Sequence, residues 1–325
     1  MTRARRARAH VVVLGEVLID LFPPKPGVPL AEAAALVPML GGAPANVAVQ
    51  LARLGVPVRL ISAVGADAFG ARALRLLRAE GVDVNAVRTR ADRRTGLTLV
   101  ELAGDGERRF TPFRERSADL SLGPADVEVG VMRGASIVHT GTVSLRMPSA
   151  RAATARLVRS AHRAGALVSL DVNLRWGMFP SRTMLVRLAR AALRRADVLK
   201  ATREEARVLL DAPSATDQEL ALRLLARGPR LVLLTADAEG ALVATARATV
   251  HVSAPQVRVV DATGAGDAFV GAVLASLQRR GVDRAGLAQL DAAHLHAIGR
   301  AGCAAGAAAV SALGATTAMP RRRRS

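Results

Sequence analysis

Asp261-Ala262-Thr263-Gly264-Ala265-Gly266-Asp267-Ala268-Phe269 sets two glycines and a carboxylate ahead of an apolar run of small residues. Gln256–Val260 before it reads as a strand, and Gly266–Arg280 after it reads as a helix. Gly264 and Gly266 permit a tight turn and close approach of a ligand to the backbone. The first N–H groups of such a helix have no internal partners and sit at its positive end, which suits an anion such as phosphate. Asp267 is out of place there unless it takes a proton from a hydroxyl that attacks the phosphate. The residues also allow a plainer reading, in which Asp267 is a favourable charge in a first helical turn.

Outward from this stretch the chain alternates strand and helix. Strands are expected at Val11–Leu14, Leu18–Phe22, Arg59–Val64, Ile137–Thr140, Leu167–Asp171, Val198–Ala201 and Leu231–Thr235. Helices are expected from Gly42 to Leu54 and over Phe69–Ala79, Pro148–Ala164, Arg182–Ala192, Arg203–Leu210, Asp217–Ala226 and Asp291–Ala309. The rhythm breaks at Thr95–Leu102 and Glu107–Phe113, two alternating runs around Gly104-Asp105-Gly106, which read as a hairpin. The expected fold is one α/β domain over residues 1–325, a mostly parallel sheet between helices. A small β lid comes from about 16–36 and 95–115, with basic tails at 1–9 and 320–325.

Composition narrows the function. Among 325 residues the charge is +19, and Lys25 and Lys200 are the only lysines. The arginines are dispersed apart from Arg3–Arg8 and Arg321–Arg324, so they read as a surface bias rather than a nucleic-acid footprint. Aromatics are 2% with no tyrosine, which leaves no platforms for stacking bases. One cysteine, Cys303, forms no internal disulfide, and no apolar run is long enough to span a membrane. Glu16 and Asp20 interrupt a signal-peptide core, so the expected location is the cytoplasm.

A second stretch, Gly41-Gly42-Ala43-Pro44-Ala45-Asn46, opens a helix that ends at Gly55. Asn46 would lie in its first turns, where an amide can donate to and accept from sugar hydroxyls. Taken alone, this could equally be a turn and helix packed through small residues.

Together the two stretches resemble the ribokinase/PfkB family of sugar kinases. The early pattern is carried by Gly41-Gly42, Asn46, Ala48, Gly55 and Gly65, the late one by Asp261 and Gly264-Ala265-Gly266-Asp267. Within the family the chain looks most like fructokinases, through Gly15-Glu16-Val17-Leu18-Ile19-Asp20, Phe113-Arg114, His139-Thr140-Gly141 and Asp171-Val172-Asn173-Leu174-Arg175-Trp176.

The resemblance implies transfer of the γ-phosphoryl group of ATP, with Mg²⁺, to a primary hydroxyl of a sugar, most consistently fructose. A 2-dehydro-3-deoxygluconate, ribose or nucleoside kinase is the alternative within the family. It implies Asp267 as base, with Gly264, Ala265 and Gly266 as the anion hole. Asp20, Gly41, Gly42, Asn46, Arg114, His139, Asn173 and Arg175 would surround the sugar. Lys200, Thr202, Glu205, Thr235, Gly240, Gly302 and Gly314 would surround the nucleotide. Thr202 and Glu205 also have the spacing of a helix capping box, and one residue can serve both purposes. Asp261 and Thr263 are where relatives often hold a monovalent cation such as K⁺, though Ala318 stands where a hydroxyl ligand is common. Asp237 replaces the usual glycine of the nucleotide loop. The lid implies a homodimer contact.

Overall fold

The computed structural model describes residues 9–25, 27–102, 108–128 and 130–322. Its elements run β1 (His10–Leu14), β2 (Leu18–Phe22), β3 (Val37–Gly41), α1 (Ala43–Arg53), β4 (Val58–Gly65), α2 (Ala68–Ala79) and β5 (Val87–Arg90). There follow β6 (Gly96–Leu102), β7 (Arg108–Phe113), β8 (Ala135–Gly141), α3 (Pro148–Arg163), β9 (Leu167–Asp171), α4 (Arg182–Leu193), β10 (Val198–Thr202) and α5 (Arg203–Leu210). The chain continues through α6 (Asp217–Leu225), β11 (Leu231–Thr235), β12 (Ala241–Ala244), β13 (Thr249–Val252), α7 (Ala265–Arg279), α8 (Arg284–Leu287) and α9 (Ala292–Ala309).

The main sheet has nine strands in the order β13-β12-β11-β10-β9-β8-β1-β4-β5, parallel except for the β11-β12-β13 meander. Val11, Val12, Val13 and Leu14 of β1 have no exposed surface, which is what a strand covered by helices on both faces requires. The chain leaves β1 toward β4 on one side, and β8 leads to β9 on the other. This reversal opens a crevice beyond the carboxyl ends of the strands, where ligands of such sheets bind.

The second sheet, β3-β2-β6-β7, is the expected lid with one strand more than expected. β3 lies beyond the expected limit at residue 36 and pairs antiparallel with β2, setting Gly41 opposite Leu18 and Met39 opposite Asp20. The hairpin's β6 and β7 pair as expected, while its turn lies outside the described residues.

The expected strand Gln256–Val260 does not form. The sheet ends at β13, and the N–H of Val260 donates instead to the Val310 carbonyl at 2.8 Å. Val257, Val259 and Val260 stay exposed, the first two on the cleft wall. α7 and α9 lie closer than ordinary side chains would allow, because a Cβ on Gly302 would stand 2.6 Å from the Phe269 ring. Gly302, expected beside adenine, is therefore a helix-packing residue.

The stretch from Thr316 to Arg321 is tied down, including the first arginine of the tail expected to fray. The Arg53 side chain, 7% exposed, holds Glu80 by two bonds at 2.9 and 2.7 Å and donates to the carbonyls of Thr316 and Met319. Arg321 also pairs with Glu80, at 2.8 Å. Arg3–Arg8, Arg323 and Arg324 lie outside the described residues. Arg53→Ala leaves two carbonyls without their donor and Glu80 with Arg321 alone, so it should lower unfolding stability by about 1–3 kcal/mol in urea titrations.

Candidate active site

The start of α7 is built by its own loop. Gly264 takes φ +81, a left-handed conformation natural to glycine, and a Cβ there would meet the Ala315 carbonyl oxygen at 2.5 Å. Asp261, 2% exposed, braces the loop. Its Oδ1 accepts from the Thr263 amide at 2.9 Å and hydroxyl at 2.6 Å, and its Oδ2 from the Gly314 amide at 2.9 Å. The first amides of α7 are thus fixed toward a cleft of about 360 Å³.

Asp267 lines that cleft and is 8% exposed. Asn46, in the first turn of α1, donates from Nδ2 to Asp267 Oδ2 at 2.8 Å. Burial pushes the Asp267 carboxyl up to about 7, against the Asn46 hydrogen bond that favours its charged form. A carboxyl near neutrality, beside an anion site, can accept a proton from a hydroxyl and keep it.

Two electrostatic zones flank Asp267. On the phosphate side, Lys200 Nζ lies 3.2 Å from Asp171 Oδ1 and 3.1 Å from where a Gly266 Cβ would stand. Burial opposes the Lys200 charge, but Asp171 and then Glu205 outweigh it and hold the ammonium above its ordinary value. Asn173, Arg175, Thr202, Thr235 and Gly240 also line the cleft, with Gly264, Ala265 and Gly266. Asn173 sits at φ +34, in a loop held by Glu205, whose Oε1 accepts from Leu174 N at 2.6 Å and Oε2 from Thr202 N at 2.9 Å. Glu205 therefore completes the capping box and braces the neighbouring loop.

On the lid side, Asp20, Glu16 and Asp119 are all buried around the buried Arg114, which pairs with Asp119. Burial raises the Asp20 carboxyl to about 7, against the pull of Arg114, and raises Glu16 as well. A Cβ on Gly41 would strike the Asp20 carboxylate, and one on Gly42 would stand 2.6 Å from the Glu16 carbonyl oxygen. Arg114, expected to touch substrate, is thus engaged by acids of the protein. Glu16 lies between β1 and β2 and was not expected in the site; only the fold shows its burial.

His139, expected to face the sugar, is 1% exposed inside the sheet and bonds Ser169 Oγ at 3.0 Å through Nδ1. Burial lowers it to about 4, so it is neutral. Gly314 holds Asp261 rather than the cleft wall. Cys303, expected to be packing, lines the cleft beside Gly306 and Val310. Asp237 takes φ +44, the conformation a glycine would supply, in a loop held by Arg203–Glu239 at 2.7 Å.

The pfkB family carbohydrate kinase model matches residues 8–322. The chain belongs to this family. The kinase is 36% identical over 310 residues to fructokinase-2 of Solanum lycopersicum, covering 95% of this chain and 93% of the relative. It superposes on the ATP-bound fructokinase of Xylella fastidiosa with a TM-score of 0.87 at 32% identity, covering 97% and 96% of the two chains. The fructokinase of Vibrio cholerae O395, solved with fructose, ADP and calcium, gives a TM-score of 0.83 at 30% identity, covering 96% of each.

The raised Asp267 carboxyl has a consequence for stability. Between its ordinary value and about 7 the folded kinase binds more protons than the unfolded chain, so this group's contribution falls as pH rises through that window. Asp267→Asn removes the dependence. Its thermal midpoint should gain on wild type as pH rises from 4 to 8; a gap independent of pH would contradict the buried, raised carboxyl.

Proposed function

We propose that this carbohydrate kinase transfers the γ-phosphoryl group of ATP to a primary hydroxyl of fructose. The observation that carries the reading is the Asn46–Asp267 bond. It joins the helix behind Gly41-Gly42 to the helix behind Gly264-Ala265-Gly266, with acids of the lid on one side and cations of the cleft on the other. Relatives similar over nearly the full chain are fructokinases, in keeping with this substrate.

Asp267 takes the proton of the attacking hydroxyl, while Asn46 fixes the carboxylate toward it. The amides of Ala265 and Gly266 offer hydrogen bonds to the transferring phosphoryl group, and Lys200 adds positive charge close by. The buried Asp171 carboxylate faces the Lys200 ammonium, 3.2 Å from its Oδ1, and with the Thr202 hydroxyl it supplies oxygens on the cleft wall that would contact Mg²⁺ or its bound water. When bound, Mg²⁺ neutralises phosphate charge. Asp261 fits K⁺ less well, since both its oxygens already accept bonds from the loop it braces.

The lid favours a neutral sugar. Three carboxyl groups surround Arg114, and this excess of acid disfavours the carboxylate of 2-dehydro-3-deoxygluconate, with Arg175 the nearest other cation, while Asp20 can accept from sugar hydroxyls. Closure of the lid would exclude water from the transfer. β7 is an open edge strand whose Phe113 is 61% exposed, and we place a homodimer contact there.

With Mg-ATP, kcat/KM should be higher for fructose than for ribose, adenosine or 2-dehydro-3-deoxygluconate; preference for one of these three rejects the substrate. Asp267→Asn should lower kcat about 10²–10⁴-fold and leave ATP affinity intact. Wild-type kcat/KM should climb as pH rises through about 7, as Asp267 loses its proton. Phe113→Glu should convert dimer to monomer by light scattering; a wild-type monomer at micromolar concentration would remove the lid contact.

A further inference from the structure

Arg175 lines the nucleotide cleft, but its neighbour Trp176 lines a separate groove of about 670 Å³ that shares no lining residue with the cleft. One wall is α4. Arg182, Arg187, Arg190 and Arg194 line the groove from α4 and its carboxyl end, and Asp211 is the sole acid among its lining residues. All four arginines are exposed, and among the described residues none pairs with a carboxylate.

Like charges three and four residues apart on a helix repel one another, and this pattern is uncorrected here because α4 contains no acidic residue. Two of the arginines are also held in place. Arg190 Nε donates to the Leu209 carbonyl at 2.7 Å, and the Arg182 guanidinium lies 5.0 Å from the centre of the Trp176 ring. Guanidinium groups that line one concavity without acidic partners offer the forked hydrogen bonding that suits phosphate oxygens. The groove has the capacity of a small-molecule site, and its walls include the Trp176 ring, Val186 and Val208.

The geometry points to a second ligand site, in which this groove binds a small molecule bearing two or more phosphate groups. The bounded volume favours a small ligand over a polymer, and the position next to Arg175 puts it one residue from the cleft. The site is independent of the sugar assignment.

Trp176 is the only tryptophan, so its fluorescence reports on the groove directly. The full chain, saturated with Mg-ADP to occupy the nucleotide cleft, is titrated with inorganic tripolyphosphate. A saturable change in emission is expected. Arg187→Ala/Arg194→Ala should weaken it about tenfold or more, the loss expected for one or two charged hydrogen bonds, while kcat/KM for the sugar stays unchanged. Added salt should weaken binding in the wild type more than in the variant. The proposal is overturned by no saturable change, by a change that further ADP abolishes, or by equal affinity in the double variant. Tighter binding of duplex DNA, with the same sensitivity to the double variant, would overturn it in favour of a nucleic-acid surface.

Discussion

A carboxylate buried at the start of α7, held by one amide from a helix far away in sequence, is the constraint on which the site depends. Asp267 cannot be well solvated there, and its single side-chain donor among the described residues, Asn46, is too little to restore an ordinary carboxylate. Such burial destabilises the charged form and is kept only because the surrounding packing holds it. Gly264 against Ala315 and Asp261 against Gly314 fix the turn. Gly271 lets Gln50 of α1 lie against α7, since a Cβ there would meet Gln50 Cγ at 2.6 Å. Each close approach uses a small residue, in keeping with a core poor in aromatics and rich in alanine and glycine.

The same constraint sorts charge along the cleft. Acids without enough cations collect at the lid end, where neutral hydroxyl groups can bond to them. Lys200, Arg175 and the helix amides collect at the other end, where phosphate charge develops. Asp267 lies at the boundary. Arg175 also reaches the lid, its guanidinium 5.7 Å from the Phe110 ring of β7. The lid and the phosphate-side charge therefore meet at one side chain, through a cation–π contact of modest strength.

Much of this was legible in the sequence, and the division follows the range of the interactions. The Gly-Ala-Gly-Asp turn, the Thr202–Glu205 cap and β9, β11 and α5 are fixed by neighbours within a few residues, and they lie where pattern placed them. Gln256–Val260 has the alternation of a strand but no strand beside it, because the meander ends at β13 and the Val310 carbonyl takes the amide of Val260. β3 and the clamp at Arg53 were missed because their partners are remote: β2 for one, and Glu80, Thr316 and Met319 for the other. His139 and Arg114 were expected to face ligand because their segments resemble those of fructokinases. Their burial among Ser169 and the lid acids is a tertiary fact with no local signature.

Asp237 shows how a departure from a motif can leave its geometry intact. At φ +44 it adopts the left-handed conformation that glycine would enter freely, at a cost for a side chain of roughly 1–2 kcal/mol. Aspartate is among the residues that tolerate this best, because its short polar side chain can bond locally. The turn is closed around it by Ala236 N to the Gly240 carbonyl at 2.9 Å and Glu239 N to the Ala236 carbonyl at 2.9 Å. Arg203 then bonds Glu239 and Asp217 together, tying this loop to the start of α5 and α6. Gly240, at φ +102, keeps the second glycine because a Cβ there would stand 2.7 Å from the Ala254 amide nitrogen. Of the two glycine positions, the exposed one carries an aspartate that tolerates a positive φ, and the other stays glycine where a side chain would run into backbone.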